Sequence, residues 1–155
     1  MLLYAHKINQ LARLFMKRFN EELAFSSLYS SQWAFIMRLY EQGTSTHKEL
    51  SEHLSIEPPT VTRTLVRLEE AGWVIKAEGV DRRERKVRLS PAAYEQFLAW
   101  QQVSDSLEMK ALANIHEADL EVFTAVLQQM MDNLKKTSTI HSKNVRMGKK
   151  SEIRE

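Results

Sequence analysis

The side chains best suited to bind a polyanion are concentrated in residues 79–90, GVDRRERKVRLS. Five of the last ten residues of this segment are arginine or lysine. Val87 and Leu89 alternate with charged positions, which is the spacing of a half-buried strand. The pattern predicts a β-hairpin over residues 73–90 with a charged tip that can contact phosphate. The alternative is a charge run that only solubilises the hairpin.

Two short helices joined by a tight turn are predicted directly before this hairpin. Thr46 and Glu49 have the T-x-x-E spacing of a capping box, which begins the first helix. The second helix, over residues 58–71, opens with two prolines, which a first turn tolerates because its N–H groups have no intrahelical acceptor. Gly72 supplies the residue that commonly ends a helix in a left-handed conformation.

The second of these helices has an apolar face and a polar face. At helical spacing, the apolar face consists of Val61, Leu65 and Leu68. Arg63 lies almost opposite that face, with Thr60 and Thr62 flanking it and Arg67 one turn further on. We expect Arg63 to point outward, whereas each threonine is equally well explained as a cap or a packing residue.

Two helices and a basic hairpin in this order predict a winged helix-turn-helix. An α-helix fits the major groove of B-DNA, where threonine and arginine are among the side chains that recognise base edges. The hairpin can lie on the DNA backbone or insert an arginine into a narrow minor groove. The predicted fold class is mainly α with a small β-hairpin wing, flanked by N- and C-terminal dimerisation helices.

Residues 58–74, PPTVTRTLVRLEEAGWV, together with DRRERKVRLS, resemble the recognition helix and wing of the multiple antibiotic resistance regulator (MarR) family of bacterial transcription factors. The helix motif T-V-[ST]-R and L-E-x-x-G is matched by Thr60, Val61, Thr62, Arg63, Leu68, Glu69 and Gly72. The wing motif D-x-R and V-x-L-[ST] is matched by Asp81, Arg83, Val87, Leu89 and Ser90. Weaker similarity extends over residues 1 to about 137.

The resemblance implies roles for the wing residues. Arg83 is expected in the minor groove, with Asp81 holding its guanidinium by an ion pair; an Asp81 that only caps the turn is the alternative. The residues expected to contact DNA are Pro59, Thr60, Thr62, Arg63, Arg67, Asp81, Arg82, Arg83, Arg85 and Lys86.

Apolar residues at helical spacing mark a long first helix and a last helix that begins near Glu117. In the last helix they alternate in three- and four-residue steps, as in a heptad seam. The resemblance implies that the first, fifth and sixth helices interlock in a two-fold dimer, although an intrachain bundle would bury the same stripe. The residues expected at the dimer interface are Ile8, Leu11, Phe15, Leu120, Phe123, Leu127, Met130 and Leu134.

These patterns predict one MarR-type domain over residues 1–137 of the 155-residue chain. The winged helix-turn-helix is expected at about residues 31–90 and the dimerisation helices at about 5–28 and 91–137. Residues 138–155 are basic and lack apolar periodicity, so we expect a frayed or disordered tail. A solvated tail without a role explains this composition better than nonspecific DNA affinity does.

Composition excludes several other kinds of protein. The net charge is +2, so attraction to DNA must come from local patches. The chain has no cysteine, which removes disulfides, thiolate metal sites and thiol-based sensing. Its five scattered histidines do not form a pair at i, i+4 spacing, so no metal and no cofactor are expected. No apolar run is long enough for a membrane span, and a cytoplasmic location is predicted.

The expected function is that of a dimeric repressor that binds a palindromic double-stranded operator in a sequence-specific manner. No nucleophile motif or phosphate-binding glycine loop is present, so catalysis is not expected. The resemblance further implies release by a small aromatic effector in a crevice that Phe15, Phe19, Trp33 and Tyr40 could line, although each is better explained as core. The alternative is a winged helix used for protein–protein contact or nonspecific DNA binding.

Overall fold

The computed structural model describes residues 3–77 and 85–151, with side chains as far as residue 137. The helices and strands of these residues are α1 (Tyr4–Glu22), α2 (Ser30–Gln42), β1 (Thr44–Thr46), α3 (His47–Leu54), α4 (Pro58–Glu70), β2 (Val74–Ala77), β3 (Lys86–Leu89), α5 (Pro91–Ala111) and α6 (Glu117–Ser151). They form two compact units, of which the first ends at Ala111 and the second begins at Leu112. The mainly helical fold class predicted from the sequence is confirmed.

In the core of the first unit, α5 connects the winged helix-turn-helix with α1. Trp100 of α5 is fully buried and meets the Trp73 ring edge-on, with 4.9 Å between ring centroids. Further along, Trp33 of α2 stacks on Phe97 of α5 at 5.6 Å and meets Phe19 of α1 edge-on at 5.9 Å. These offset and edge-on aromatic pairs bury large apolar areas. They therefore hold α1, α2 and α5 in one packed layer.

The wing belongs to a three-stranded antiparallel sheet with the order β1-β3-β2. Val87 of β3 lies opposite Lys76 of β2 and Ser45 of β1, and both Val87 and Ser45 are buried. The hairpin of β2 and β3 agrees with the sequence prediction, but β1 was not predicted. Three residues are too few to produce an alternating pattern, and their pairing depends on a strand far along the chain.

The predicted capping box at the start of α3 is confirmed. The Glu49 N–H donates to Thr46 Oγ1 at 3.1 Å, and the Thr46 N–H donates to Glu49 Oε2 at 2.7 Å. The Thr46 hydroxyl also donates to Glu49 Oε2 at 3.1 Å. The bonds that the carboxylate accepts, first from the Thr46 N–H and then from the Thr46 hydroxyl, lower the pKa of the Glu49 carboxyl. The start of α3 is thus fixed beside the sheet.

Ser90 connects the end of α4 to the wing and to α5. Its hydroxyl donates to the Gly72 carbonyl oxygen at 2.6 Å and accepts from the Ala93 N–H at 3.1 Å. Gly72 has a φ of 79°, the left-handed conformation that the sequence predicts for the residue ending this helix. One buried hydroxyl therefore positions α4 relative to β3 and α5.

In the second unit, α6 is helical from Glu117 to Ser151. The sequence predicts a disordered tail from residue 138, whereas the backbone continues as a helix beyond that point. Residues 135–147 include neither glycine nor proline, so nothing interrupts the i to i−4 hydrogen bonds. Within the described parts of the chain, no helix is long and apolar enough to cross a membrane.

Candidate nucleic-acid interface

The second helix of the helix-turn-helix, α4, presents its polar face to solvent. Val61, Leu65 and Leu68 are each at most 1% exposed, because they pack into the core of the first unit. Arg63 lies on the opposite face and is exposed. One of its guanidinium nitrogens, Nη2, donates to Thr60 Oγ1 at 3.2 Å. The predicted orientation of α4 is confirmed, and the hydroxyl of Thr60 restrains Arg63.

The start of α4 offers no free backbone N–H group to an anion. Pro58 and Pro59 have none. The N–H groups of Thr60 and Val61 both donate to the carbonyl oxygen of Glu57, at 2.9 and 3.1 Å. Many helix starts bind phosphate through free N–H groups of the first turn. The first turn of α4 can therefore bind an anion only through its side chains.

Other predicted side chains of α4 are also exposed, including Pro59 and Thr62. Val66 is 48% exposed on the same outward side, between Arg63 and Thr62 around the helix axis. The sequence pattern does not single out Val66, because apolar residues of a helix are usually assigned to the core. Its angular distance from the buried stripe was the signal that could have identified it.

Arg67 lies in a different environment from Arg63. It lines a polar cleft of about 540 Å³ between α4 and the start of α2. The cleft includes side chains of Tyr29, Ser31, Gln32, Thr64, Arg67 and Glu70. Only the folding of the segment before α2 against α4 creates this cleft. The sequence pattern therefore selected Arg67 but not the polar residues of α2.

Two of the five wing residues selected from the sequence are described by the structure. Arg85 is exposed and Lys86 is half-buried at the start of β3. Asp81, Arg82 and Arg83 lie outside the described residues. Their roles stay predictions.

The base of the wing lies beside the start of α3. Burial is the main cause that lowers the pKa of His47, and the positive charge of Arg85 lowers it further. The carboxylate of Glu69 acts in the opposite direction. The pairing of β1 with β3 places Thr46, directly before α3, opposite Lys86 of the wing. The basic side chains of the wing and the first turn of α3 therefore lie on one surface.

The residues selected for the dimer interface are mostly accessible within their own units. On α1, Ile8 is 38% and Leu11 is 45% exposed, and Phe15 is half-buried. On α6, Phe123 and Leu134 are 47% and 70% exposed. Half-buried positions on α6 are Leu120, Leu127 and Met130. Further exposed apolar residues of α1 and α6, which the sequence pattern does not single out, include Leu14, Val122, Val126 and Met131.

A crevice of about 300 Å³, which we term the aromatic crevice, opens between α1, α2 and α5. Its lining includes Phe15, Phe19, Ser30, Trp33, Ser104 and Glu108. Tyr40 does not line it. Tyr40 is 46% exposed as a residue, and its ring stacks on Phe97 with 3.6 Å between centroids. The expectation that Tyr40 belongs to the core is therefore wrong.

Comparisons with known proteins agree with this architecture. The MarR family model matches residues 28–84. The uncharacterized HTH-type transcriptional regulator YwoH of Bacillus subtilis (strain 168) is 40% identical over 126 residues, which are 81% of this chain and 92% of that protein.

Two solved structures have the same fold. A MarR family transcriptional regulator from Listeria monocytogenes complexed with 26mer DNA gives a TM-score of 0.82 at 19% identity, covering 92% of this chain and 96% of that chain. The organohalide-sensing transcriptional regulator RdhR in its 2,4-dichlorophenol-bound form gives 0.78 at 22% identity, covering 84% and 79%. At such identities the likeness establishes the fold alone. Because the 40% identity to YwoH extends over most of both chains, this chain belongs to the MarR family of transcriptional regulators, whose members are not enzymes.

Proposed function

We propose that this regulator is a homodimeric repressor that binds a palindromic operator in double-stranded DNA and leaves it when a small aromatic effector binds. The observation that carries the DNA-binding proposal is the position of Arg63, exposed opposite the buried stripe of α4 and bonded to Thr60 at 3.2 Å. The Listeria monocytogenes relative of the same fold, complexed with DNA, supports it.

In this proposal α4 enters the major groove. Arg63 forms a bidentate pair with a guanine, which is the commonest specific contact of an arginine with a base. Val66 contacts a thymine methyl group, since it is the exposed apolar side chain beside Arg63. Thr60 acts mainly by holding the guanidinium, because its hydroxyl accepts the bond from Arg63. Pro59 and Thr62 contact the adjacent DNA.

The wing and the polar cleft contact the DNA backbone. Arg83 enters the minor groove with Asp81 as its ion-pair partner, and Arg82, Arg85 and Lys86 bind phosphates. This assignment is supported by the exposure of Arg85 at the base of the wing. Arg67 binds a phosphate on the other side of α4, where hydroxyl groups of the polar cleft add donors.

Dimerisation supplies the symmetry of the operator. Exposed apolar side chains on α1 and α6 provide surfaces that a second copy can bury. A two-fold dimer presents two copies of α4 about one turn of DNA apart, which matches a palindromic site. Repression by occluding a promoter needs no surface besides the DNA-binding face, so we favour it over activation.

The aromatic crevice is the proposed effector site. Its volume of about 300 Å³ suits a small ligand. The crevice is lined by α1 and α5, which are two of the proposed dimerisation helices, and by α2 of the winged helix-turn-helix. The structure of RdhR with 2,4-dichlorophenol supports an aromatic effector. A ligand shifts the protein away from DNA only if it binds the DNA-free conformation more tightly.

The test is a footprint on the DNA around the gene of this protein, followed by a salt titration of binding to the protected sequence. We expect a two-fold symmetric footprint and an affinity that falls steeply with salt, since each neutralised phosphate releases counterions. Absence of binding to any duplex would refute the proposed function. A single, asymmetric half-site would refute the palindromic operator.

A further inference from the structure

We infer that one flank of α4 recognises the C5 methyl groups of bases in each half of the operator, and that Val66 makes the main contact. The flank consists of the exposed residues Pro59, Thr62 and Val66, and we term it the uncharged flank. The inference rests on the proposed function in one respect, namely that α4 enters the major groove. It goes further by naming the chemical group that the flank recognises and the length of DNA over which this group must occur.

Arg63 divides the exposed face of α4 into two flanks. With about 3.6 residues per turn, Arg67 and Thr60 lie about 40° and 60° from Arg63 on one side of the helix axis. The uncharged flank lies on the other side, between about 40° and 100° from Arg63. One side of α4 therefore carries a guanidinium and a hydroxyl for polar contacts, whereas the other side carries no charge.

The guanidinium of Arg63 is held over the polar side. Its Nη2 donates to Thr60 Oγ1 at 3.2 Å, so the side chain bends away from Val66. Val66 is 48% exposed, whereas the apolar residues of the buried stripe of α4 are each at most 1% exposed. The methyl groups of Val66 are therefore accessible on the outer face of the helix, and the stem of Arg63 does not cover them.

The chemistry of the uncharged flank fits a methyl group. The side chains of Val66 and Pro59 have no hydrogen-bonding group, so neither can distinguish a donor from an acceptor on a base edge. In the major groove, the C5 methyl group of thymine is the apolar feature by which a base pair differs from the others. Thr62 adds a methyl group of its own, and threonine methyls also contact thymine.

The uncharged flank covers a limited length of DNA. Pro59 and Val66 are seven residues apart, which corresponds to about 10 Å along the helix axis. Successive base pairs are about 3.4 Å apart, so the flank extends over about three base-pair steps. The two carboxylates of α4, Glu69 and Glu70, come after Val66 at the end of the helix. We therefore expect the recognised methyl groups within about four consecutive base pairs of each half-site.

The experiment starts with the selection of duplexes from a randomised library by the full chain. Each thymine of the selected site is then replaced with uracil, which lacks the C5 methyl group and still pairs with adenine. This methyl group lies in the major groove, so a contact of the wing in the minor groove is not affected. We expect uracil at one or more positions of each half-site to weaken binding about three- to fourfold, the usual effect of one buried methyl-sized group.

Val66→Ala tests whether this side chain makes the contact. At one of the sensitive positions, uracil should no longer weaken binding by this variant, because the side chain that contacts the methyl group is missing. The melting temperature should not fall, since alanine favours a helix more than valine does. Val66→Ile keeps an apolar side chain and should retain the uracil effect. Leu98→Ala, which shortens an exposed apolar residue of α5, is the matched control and should also retain it.

A second base substitution separates the methyl group from the rest of the base pair. At the position that depends on Val66, the thymine–adenine pair is replaced with a cytosine–guanine pair, with or without a methyl group on C5 of cytosine. We expect the 5-methylcytosine duplex to bind about three- to fourfold more tightly than the cytosine duplex. Val66→Ala should bind the two duplexes equally.

Specific binding that uracil leaves unchanged at every thymine would overturn the inference, while the DNA-binding function would stand. Equal affinity of the unaltered protein for the cytosine and 5-methylcytosine duplexes would overturn it as well. The same uracil effects in Val66→Ala as in the unaltered protein would overturn the role of Val66. If the library yields no enriched duplex, the proposed function itself fails, and the inference fails with it.

Discussion

Replacing Arg63 with alanine tests how α4 recognises DNA. Arg63 is exposed, and its guanidinium forms a 3.2 Å hydrogen bond to Thr60. Its removal therefore leaves no buried group without a partner. We expect the free energy of unfolding to change by less than about 0.5 kcal/mol, as for most surface substitutions.

The expected effect on DNA binding is much larger. A bidentate arginine–guanine pair contributes about 1–3 kcal/mol of discrimination, so operator affinity should fall about fivefold to 150-fold. The affinity for a scrambled duplex should fall less, because nonspecific binding depends on phosphate contacts. Thr60→Val keeps Arg63 but removes the hydroxyl that restrains it. We expect a smaller loss of about 0.5–1.5 kcal/mol, the usual net contribution of one hydrogen bond.

Fluorescence anisotropy with the operator and a scrambled duplex, at several salt concentrations, measures these effects. Arg13→Ala is the matched control, because Arg13 is an exposed arginine of α1 away from α4 and the wing. We expect that control to bind like the unaltered protein. Operator affinity that survives Arg63→Ala would refute base recognition by Arg63. An equal loss on both duplexes would instead make Arg63 a phosphate contact.

Three other predictions concern stability, assembly and pH. Thr46→Ala removes the acceptor of the capping box, so denaturant unfolding should give a loss of about 1 kcal/mol, and an unchanged stability would contradict the role of this cap. Leu11→Lys places a charge on the exposed apolar face of α1, so sedimentation equilibrium should give a lower fraction of dimer. The control Arg13→Ala should leave the fraction of dimer unchanged. Persistent dimers in Leu11→Lys would exclude this face from the interface. Burial and Arg85 lower the pKa of His47, so the unfolded chain binds a proton more readily than the folded one. The stability that His47 contributes is therefore complete above about pH 6.5, the unfolded pKa, and is lost as the pH falls through the lowered pKa of the folded state. His47→Gln should therefore lose less stability than the unaltered protein in urea unfolding between about pH 7.5 and 5.5, and an identical pH dependence would contradict this.

The helix-turn-helix was predictable because its signals are local. Thr46 and Glu49 cap the start of α3, the prolines at 58 and 59 open α4, and Gly72 ends it. Each signal acts within one turn of helix, so it does not depend on the rest of the fold. The same holds for the buried stripe of α4, since helical periodicity alone determines which side chains share a face.

Features that depend on distant pairings were not predictable. The strand β1 exists because residues 44–46 pair with β3, and its three residues are too few for a periodic pattern. Tyr40 has core-like spacing, yet its ring lies half-exposed against Phe97 of α5. The helix α6 continues past residue 138, although the loss of apolar periodicity predicted its end near that point. Helical backbone requires only continuous hydrogen bonds, whereas periodicity reports packing.

By itself the sequence determined the helix-turn-helix, the outward direction of Arg63 and the membership in the MarR family, because capping, periodicity and motif spacing are all properties of short segments. Only the tertiary structure decided which side chains line the aromatic crevice. Ser30 and Glu108 lie on helices far apart in the chain, and the packing of α1, α2 and α5 brings both residues to one crevice of about 300 Å³. Local sequence patterns do not predict which residues line this crevice, because the lining depends on how the faces of three helices pack against each other.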